Sequence, residues 1–264
     1  GNVGLAFGLV IAAGMCTTIG SAFVFCTSYA NTKVLAGALG VSAGVMIYVS
    51  FVEIFATKAI EGFETSYPND ADKLATLCFF CGAGLTYLLD GLVHKIGMWQ
   101  KNRSNLKKAP AEHLKNMGFM TALTIGLHNF PEGLATFVAA LADTKLGIAL
   151  ALAIAIHNIP EGVCVAMPVY YATGSKLRGF WWSFVSGLSE PFGGLCGFLV
   201  LYSAVMSDSA YGALFGIVGG MMVYISLKEL LPTALKYDPH DKYVTNCTFI
   251  GMAVMAASLI MFTL

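Results

Sequence analysis

A six-residue segment rich in metal-binding side chains occurs twice in this chain. The copies occupy residues 128–133 and 157–162 and read His-Asn-Phe-Pro-Glu-Gly and His-Asn-Ile-Pro-Glu-Gly. Because residues i and i+4 share a helix face, each copy directs an imidazole and a carboxylate the same way. The proline between them removes a backbone donor and leaves the carbonyl group four residues earlier without its usual partner. Such a helix face suits a divalent cation.

The composition places both copies in a membrane. Hydrophobic residues make up 57% of the chain and charged residues only 11%, whereas soluble domains carry about 25% charged residues. The formal net charge is zero and no basic run is interleaved with aromatic residues, so a nucleic-acid partner is not expected. The cysteines lie mostly in apolar stretches. We therefore interpret the Cys78-x-x-Cys81 pair as buried small hydrophobic residues rather than as a zinc or redox pair.

Eight apolar spans predict an all-α, polytopic membrane protein with a single transmembrane domain over residues 1–264. The spans run over about 3–26, 34–58, 73–97, 117–141, 146–170, 178–205, 210–235 and 244–264. Their connections are short, apart from one near 59–72 and a basic one near 98–116. Spans four and five carry the two hexapeptides near their middles, so both should lie near the membrane midplane.

The charges of the connections orient the chain in the membrane. Connections after spans one, three, five and seven carry eleven Lys and Arg residues, whereas the opposite connections carry three. By the positive-inside rule the first set is cytosolic, and both termini lie outside. The outer face is acidic, which would raise the local concentration of cations. We expect a multi-pass protein of the plasma (inner) membrane.

Spans two and seven carry a second repeat. The pattern Gly-x-x-x-Gly-x-Met-x-Tyr-x-Ser-x-x-Glu occurs at residues 40–53 and again at 216–229, with six identities at a constant offset of 176 residues. These spans cross the membrane in opposite directions, so they predict an inverted-topology repeat, and spans four and five are antiparallel as well. Transporters built on such repeats bind their substrate near the midplane, where the halves meet.

The intramembrane polar residues are the candidate metal ligands, because ionisable groups there are costly and usually functional. Glu190 precedes Pro191 in span six, where the proline frees the carbonyl group of Gly187. The structural alternative is that the His and Glu side chains only hold helices together and that Glu190 marks a kink. It does not explain why two adjacent spans share one hexapeptide. The predicted ligands are His128, Asn129, Glu132, His157, Asn158, Glu161 and Glu190.

The ligand chemistry favours a transition metal. Imidazole, carboxylate and amide groups together suit Zn(II), Fe(II) or Mn(II) better than Ca(II) or Mg(II). Three carboxylates in a low dielectric suit one or two dications, since unpaired charges there would be protonated. Met46 of span two offers a thioether, although a buried methionine more often serves in packing.

Four further residues are candidates for the transport pathway. The inverted repeat places Glu53 near the outer mouth and Glu229 near the inner mouth, where each would act as a gate or pathway carboxylate. The alternative is that both are interfacial residues, with Glu229 paired to Lys228. Asp90 and His94 lie one turn apart at the inner end of span three. They either bind the ion on its exit route or are solvated polar residues at a helix end.

The two hexapeptides make the chain similar to the ZIP (Zrt/Irt-like) family of divalent metal transporters. Ser-Gly-Leu-Ser-Glu-Pro at 186–191 and Ser-x-x-Glu-Leu-Leu-Pro at 226–232 support the resemblance. Within the family the chain resembles the bacterial ZupT-type branch, whose pattern also has a glutamate where this chain has Glu53. The resemblance covers essentially the whole chain.

The resemblance implies a binuclear metal site at the predicted ligands, with Met46 where some members supply a ligand. It also implies a homodimer and an elevator motion, in which spans one, four, five and six slide against spans two, three, seven and eight. The chain departs from the family in having no His-rich loop between spans three and four. Glu53 also replaces a common His-x-x-Pro. His157-Asn158 stands where some members have Gln-Asp, which leaves the charge and occupancy of the second metal position open.

These features predict a transporter that moves Zn(II), with Fe(II), Mn(II) or Cd(II) as further candidates, into the cytosol by alternating access. An intramembrane zinc protease would need His-Glu-x-x-His, which the sequence lacks, so no enzyme activity is expected. A passive cation channel on the same site is the remaining alternative, and proton coupling is open. The expected partners are divalent metal ions as the transported substrate, the lipid bilayer and a second copy of the chain.

Overall fold

The chain is helical throughout the part that the computed structural model describes, residues 2–26, 32–104, 126, 129–203 and 207–263. These ranges contain helices and turns but no strand, which confirms the predicted all-α class. Six helical rods are long and apolar enough to cross a membrane, so the polytopic prediction is confirmed too.

The helices follow the predicted spans closely. In chain order they are α1 (Val3–Cys26), α2 (Thr32–Tyr48), α3 (Ile60–Glu64), α4 (Ala71–Ser104), α5 (129–142), α6 (Thr144–Thr173), α7 (Lys176–Gly187), α8 (Ser189–Ser203), α9 (Asp208–Ile225), α10 (Leu231–Tyr237) and α11 (Val244–Thr263). Two π-helical segments, π1 (Val49–Ala59) and π2 (Ser226–Leu230), join α2 to α3 and α9 to α10. Spans two and seven are therefore continuous rods with a π segment inside.

Two of the eight predicted spans are not among the six long rods, and each has its own explanation. Span six is divided at Leu188 into α7 and α8, and neither part is long enough to cross a bilayer alone. The break lies just before Glu190 and Pro191, where the missing backbone donor of the proline was expected to bend the helix. The first half of span four lies largely outside the described residues, which resume with α5.

A capping residue defines each end of α6. The carboxylate of Asp143 accepts a hydrogen bond from the backbone N–H of Lys145 at 2.8 Å, which starts α6. Gly174 ends it in the left-handed conformation with φ of 67°. Because the turn at Asp143 is short, α5 and α6 are antiparallel neighbours, as predicted for the two hexapeptide spans. Gly147 lies against Ala140 at their junction, where a Cβ would come within 2.4 Å of the Ala140 Cα.

Four pairs of helices are joined by reciprocal glycine contacts. In each pair, a Cβ on the glycine of either helix would lie 1.8–2.1 Å from a carbonyl oxygen of the other helix, three residues before the partner glycine. The glycine pairs are Gly20 with Gly162 (α1–α6), Gly133 with Gly193 (α5–α8), Gly44 with Gly251 (α2–α11) and Gly82 with Gly220 (α4–α9). Only a residue without a side chain allows such a close approach of two helix backbones.

Other contacts show that the helices within these pairs run parallel. Along α1 and α6, Ala13 contacts Asn158, and further along both helices Val24 packs on Ala166. Along α4 and α9, Cys78 lies beside Gly216 and Tyr87 beside Tyr224. Successive predicted spans alternate in direction, so helices that cross a membrane in the same direction are either both odd-numbered or both even-numbered spans. The glycine-paired helices agree with this rule.

The glycine contacts divide the molecule into two groups of helices. Group A comprises α1, α5, α6, α7 and α8, and group B comprises α2, π1, α3, α4, α9, π2, α10 and α11. For every described glycine with close neighbours, the nearest atoms that a Cβ would meet belong to the same group. Close backbone packing therefore holds each group together but does not join the two groups.

The groups meet along an apolar surface. α6 packs on α2 and α11, and larger side chains form one buried cluster there, including Leu39, Met46, Leu150 and Ile154. One polar contact crosses this surface among the described residues of α2 and α6, where the hydroxyl of Ser42 donates to the His157 carbonyl oxygen at 3.4 Å. The helix that carries the second hexapeptide, α6, thus lies at the boundary between the groups.

Candidate metal centre

Three buried side chains from α5 and α6 converge inside group A. Glu132, His157 and Glu161 each offer a ligand atom, and these atoms lie within 4.8 Å of one another. The side chains are at most 5% exposed, and His157 Nε2 lies 3.2 Å from Glu132 Oε1. Two ligand atoms that each lie about 2 Å from a zinc ion are at most about 4 Å apart, so a small adjustment of these side chains would bring all three onto one ion. The arrangement can therefore converge on one divalent ion.

The hydrogen bonding around the cluster leaves several buried acceptors for an ion. Within the described part of the chain, Glu132 Oε2, Asn158 Oδ1, Glu190 Oε2 and the ring nitrogen Nδ1 of His157 have no hydrogen-bond partner. Buried polar groups without partners cost free energy, and buried carboxylates cost most. A dication bound among them would offset that cost, so the donor set fits a transported metal ion.

Asn158 and Glu190 extend the cluster toward α8. The Asn158 Nδ2 amide donates one hydrogen bond to the Ala13 carbonyl oxygen at 2.9 Å and another to Glu190 Oε1. All three residues are at most 1% exposed. Both partners are acceptors, so the amide nitrogen must face them and Asn158 Oδ1 must point elsewhere.

The helix backbones bring α8 close enough to join the site. A Cβ on Gly133, the last residue of the first hexapeptide, would lie 2.0 Å from the Glu190 carbonyl oxygen. Reciprocally, a Cβ on Gly193 would lie 2.1 Å from the carbonyl oxygen of Phe130. The glycine that ends the hexapeptide thus allows the α8 carboxylate to reach the ligands of α5 and α6.

The predicted ligands divide into three sets. Glu132, His157 and Glu161 come together in one cluster, and Asn158 is hydrogen-bonded to Glu190 beside it. Asn129 and Met46 are buried, Asn129 in the first hexapeptide and Met46 in the apolar cluster between the groups. His128 lies outside the described residues.

The four candidate pathway residues lie away from this centre, on group B. Glu53 is half-buried in π1, and Glu229 is half-buried in π2. Asp90 on α4 is close enough to Glu229 for their charges to interact, as is the neighbouring Lys228. His94 is exposed one turn beyond Asp90. The structure therefore brings Asp90 and Glu229 into one neighbourhood.

Two features of the site region have no counterpart in the sequence-based predictions. One is α1, which contacts Asn158 through the Ala13 backbone and lies beside Glu190 at Gly14. Its signal in the sequence is slight, because small residues are common throughout this chain. The other is the pair of π segments, whose only signal was the repeat that contains Glu53 and Glu229.

Comparisons with known proteins place the chain in a family. The model of the family described as ZIP zinc transporter matches residues 93–259. The chain is 48% identical to the zinc transporter ZupT of Nitratidesulfovibrio vulgaris over 99% of this chain and 98% of the relative. It is 46% identical to that of Lysinibacillus sphaericus, with 99% and 98% covered, and 44% identical to that of Streptococcus mutans, with 97% of each covered. By its sequence, this chain belongs to the ZIP family of zinc transporters.

Proposed function

We propose that this protein carries Zn(II) across the membrane and that Glu132, His157 and Glu161 hold the ion in transit. The supporting observation is the buried cluster itself, in which two carboxylates and an imidazole approach within 4.8 Å while acceptors around them have no hydrogen-bond partner. Membership of a transporter family rules out the intramembrane protease alternative. The related ZupT proteins are named as zinc transporters, which favours Zn(II) over Fe(II), Mn(II) or Cd(II) as the main substrate.

A second metal position beside the first is part of the proposal. Asn158 Oδ1 and Glu190 Oε2 are buried and have no hydrogen-bond partner in the described chain, and they border the cluster on the α8 side. Asn129 and His128 from the first hexapeptide complete the proposed ligand set, and Met46 is its most peripheral member. A neutral amide in place of a further carboxylate would bind this second ion more weakly.

Alternating access is the mechanism that the packing supports best. Reciprocal glycine contacts make groups A and B internally tight, whereas larger apolar side chains meet between them. Packed surfaces of that kind can slide past each other, while interlocked backbones cannot. Group A contains spans one, four, five and six and carries the proposed ligands except Met46, which lies on α2 of group B. We therefore propose that group A moves against group B and exposes the ion to each side in turn.

The inverted repeat has matching support in the glycine contacts. Gly44 and Gly220 occupy equivalent positions in the two copies of the repeat, and each makes a reciprocal contact. Gly44 does so with α11 and Gly220 with α4, so equivalent helices have equivalent partners. Both copies also contain a π segment with a carboxylate, Glu53 in π1 and Glu229 in π2.

The proposed route leads from the acidic outer face to the cytosol. Glu53 would collect the ion on the outer side, and Glu229 with Asp90 and His94 would receive it on the inner side. Both termini lie outside in this orientation, which rests on the positive-inside rule. We further propose a homodimer in the plasma (inner) membrane, with one transmembrane domain per copy spanning residues 1–264.

Uptake of radioactive zinc into proteoliposomes tests the site. We expect Glu132→Ala or Glu161→Ala to abolish uptake, because either change removes a ligand from the cluster, while the purified protein keeps its helical circular dichroism. Glu64→Ala is the matched control, since Glu64 is exposed beyond the π1 segment, and it should transport normally. Normal uptake by both Glu132→Ala and Glu161→Ala would reject the proposed site. Saturation with zinc concentration would favour a carrier over a channel.

A further inference from the structure

We infer that Gly14 of α1 is a positioning residue for Asn158 and Glu190, although α1 supplies no ligand to the site. The inference rests on the proposed metal site and adds a helix to it. Three observations lead to it: the direction of the Asn158 amide, the close approach of the α1 backbone to the α7–α8 junction, and the way α1 is fixed against α6.

The Asn158 amide is oriented by acceptors on two different helices. Its nitrogen donates to the Ala13 carbonyl oxygen on α1 and to Glu190 Oε1 on α8. These bonds use both hydrogens of the amide, so its oxygen has to face away from α1. If α1 moved outward, the Ala13 bond would lengthen and the amide could rotate. The position of α1 therefore controls where Asn158 Oδ1 points.

Gly14 lets α1 approach the α7–α8 junction at the level of Glu190. A Cβ at this position would lie 2.8 Å from the Gly187 carbonyl oxygen. It would also lie 3.3 Å from both Glu190 Cβ and Pro191 Cδ. The first of these neighbours is backbone at the end of α7 and cannot rotate away, so α1 and the α7–α8 junction would have to separate. Even one methyl group at residue 14 therefore displaces Glu190 from its present place.

The rest of α1 cannot shift easily to relieve such a contact. Gly20 and Gly162 lock α1 to α6, since a Cβ on either would lie 1.9 Å from a carbonyl oxygen of the other helix. The hydroxyl of Ser183 on α7 also donates to the Thr17 carbonyl oxygen at 3.3 Å. With α1 held at this end, strain from a side chain at residue 14 falls on Asn158 and Glu190.

Zinc binding by the purified full-length protein, measured with radioactive zinc at equilibrium, tests the inference. We expect Gly14→Ala to raise the dissociation constant about tenfold, which is typical when a group that orients a ligand is disturbed. Gly8→Ala on the same helix is the matched control, because a Cβ there would meet nothing within 4 Å. It should leave zinc binding unchanged.

A second comparison separates positioning from general loss of packing. In a background that carries both Asn158→Ala and Glu190→Ala, neither of the side chains that Gly14 is inferred to position is present. Adding Gly14→Ala should then weaken binding by less than about twofold, a non-additive result expected for coupled residues. An effect of equal size in both backgrounds would mean that residue 14 acts by packing alone and would overturn the inference.

The outcomes also distinguish this inference from the proposed site. If Glu190→Ala itself leaves zinc binding unchanged, Glu190 is not a ligand and the proposed second position is wrong. If Glu190→Ala weakens binding but Gly14→Ala does not, the site stands and the inference about α1 fails. Should Gly14→Ala not fold, nuclear magnetic resonance of the ¹⁵N-asparagine-labelled protein gives a direct answer. Both Asn158 amide hydrogens should exchange slowly with solvent, whereas fast exchange of either would contradict the inference.

Discussion

The amide of Asn158 joins three helices at one point, because it lies on α6 and donates to Ala13 on α1 and to Glu190 on α8. None of the three residues is more than 1% exposed, so water does not replace either bond. When both hydrogens of a buried amide are donated to acceptors, the side chain is held in a single orientation. The oxygen of the amide is thereby kept facing away from Ala13 and Glu190.

Replacing this amide by a carboxylate tests the orientation directly. Asn158→Asp removes both donated hydrogen bonds and places a second carboxylate beside Glu190, so each acceptor left without a partner should cost about 1–3 kcal/mol. We expect a lower melting temperature in the absence of zinc. Differential scanning fluorimetry of the metal-free protein measures the effect.

The matched control for that change is Asn2→Asp. The Asn2 side chain accepts a hydrogen bond from the backbone N–H of Leu5 at 3.1 Å, and an aspartate retains this ability. Its melting temperature should equal that of the unchanged protein. Asn158→Asp with an unaltered melting temperature would show that the amide nitrogen does not face Ala13 and Glu190.

At the site, the sequence predicted which residues come together more readily than how their side chains are oriented. The spacing of His157 and Glu161 placed both on one helix face, and the structure brings them together with Glu132. The Ala13 carbonyl could not be foreseen, because every residue has a carbonyl group and only packing decides which one meets an amide. The orientation of Asn158 depends on that contact and was equally hidden.

At the scale of helices, glycine placement decides which pairs pack closely. Gly82 and Gly84 lie on the same helix, α4, and differ sharply in surroundings. A Cβ on Gly82 would lie 1.9 Å from the Ile217 carbonyl oxygen, whereas a Cβ on Gly84 would meet nothing within 4 Å. The two positions provide an internal comparison of the same chemical change.

We expect Gly82→Ala to destabilise the protein by about 1–3 kcal/mol or more, because overpacking forces α4 and α9 apart. Gly84→Ala should be neutral or slightly stabilising, since alanine favours helix by about 0.5–1 kcal/mol over glycine. Thermal unfolding of both variants in detergent measures the difference. Equal melting temperatures for the two variants would contradict the glycine contact between α4 and α9.

Helix boundaries followed from apolar length, but internal irregularities did not. Most predicted spans agree with observed rods within a few residues, since bilayer thickness fixes the length of an apolar helix. Pro191 signalled the break between α7 and α8. The π segments at Val49–Ala59 and Ser226–Leu230 contain no proline, so no helix breaker within them predicts their wider turns.

For the molecule as a whole, the division into groups A and B has a mechanical consequence within group B. A Cβ on Gly37 of α2 would lie 3.3 Å from the Cys247 sulfur of α11. The thiol introduced by Gly37→Cys should therefore form a disulfide with Cys247 under mild oxidation. Since both helices belong to group B, the bond would link parts that do not move against each other.

We expect the oxidised Gly37→Cys protein to take up zinc within about twofold of its reduced form, as a rigid-body motion requires. Mass spectrometry confirms the bond, and proteoliposome uptake before and after reduction measures transport. The same protein with Cys247→Ser controls for oxidation of other thiols. Arrested uptake that recovers on reduction would show that α2 and α11 move against each other during transport.

The repeat in spans two and seven was visible in sequence, whereas the division into two groups was not visible without the resemblance to a family. Periodicity and charge place each span, but they do not say which spans touch. Partner choice depends on complementary backbone surfaces, and glycine is so frequent in this chain that its sequence positions alone do not single out the eight contact sites. Only the packed structure distinguishes Gly82 from Gly84.

The reciprocal glycine contacts also have a consequence for biosynthesis. Each pair joins helices that are far apart in the chain, so α1 has to wait for α6, α4 for α9 and α2 for α11. A ribosome would therefore release the first helices into the bilayer long before their partners emerge. Group B is completed only when α11, the last described helix, has been synthesised. Until α11 and α9 are made, α2 and α4 respectively lack the helices that their glycine surfaces contact, so shielding by an insertase or chaperone would protect them in that interval.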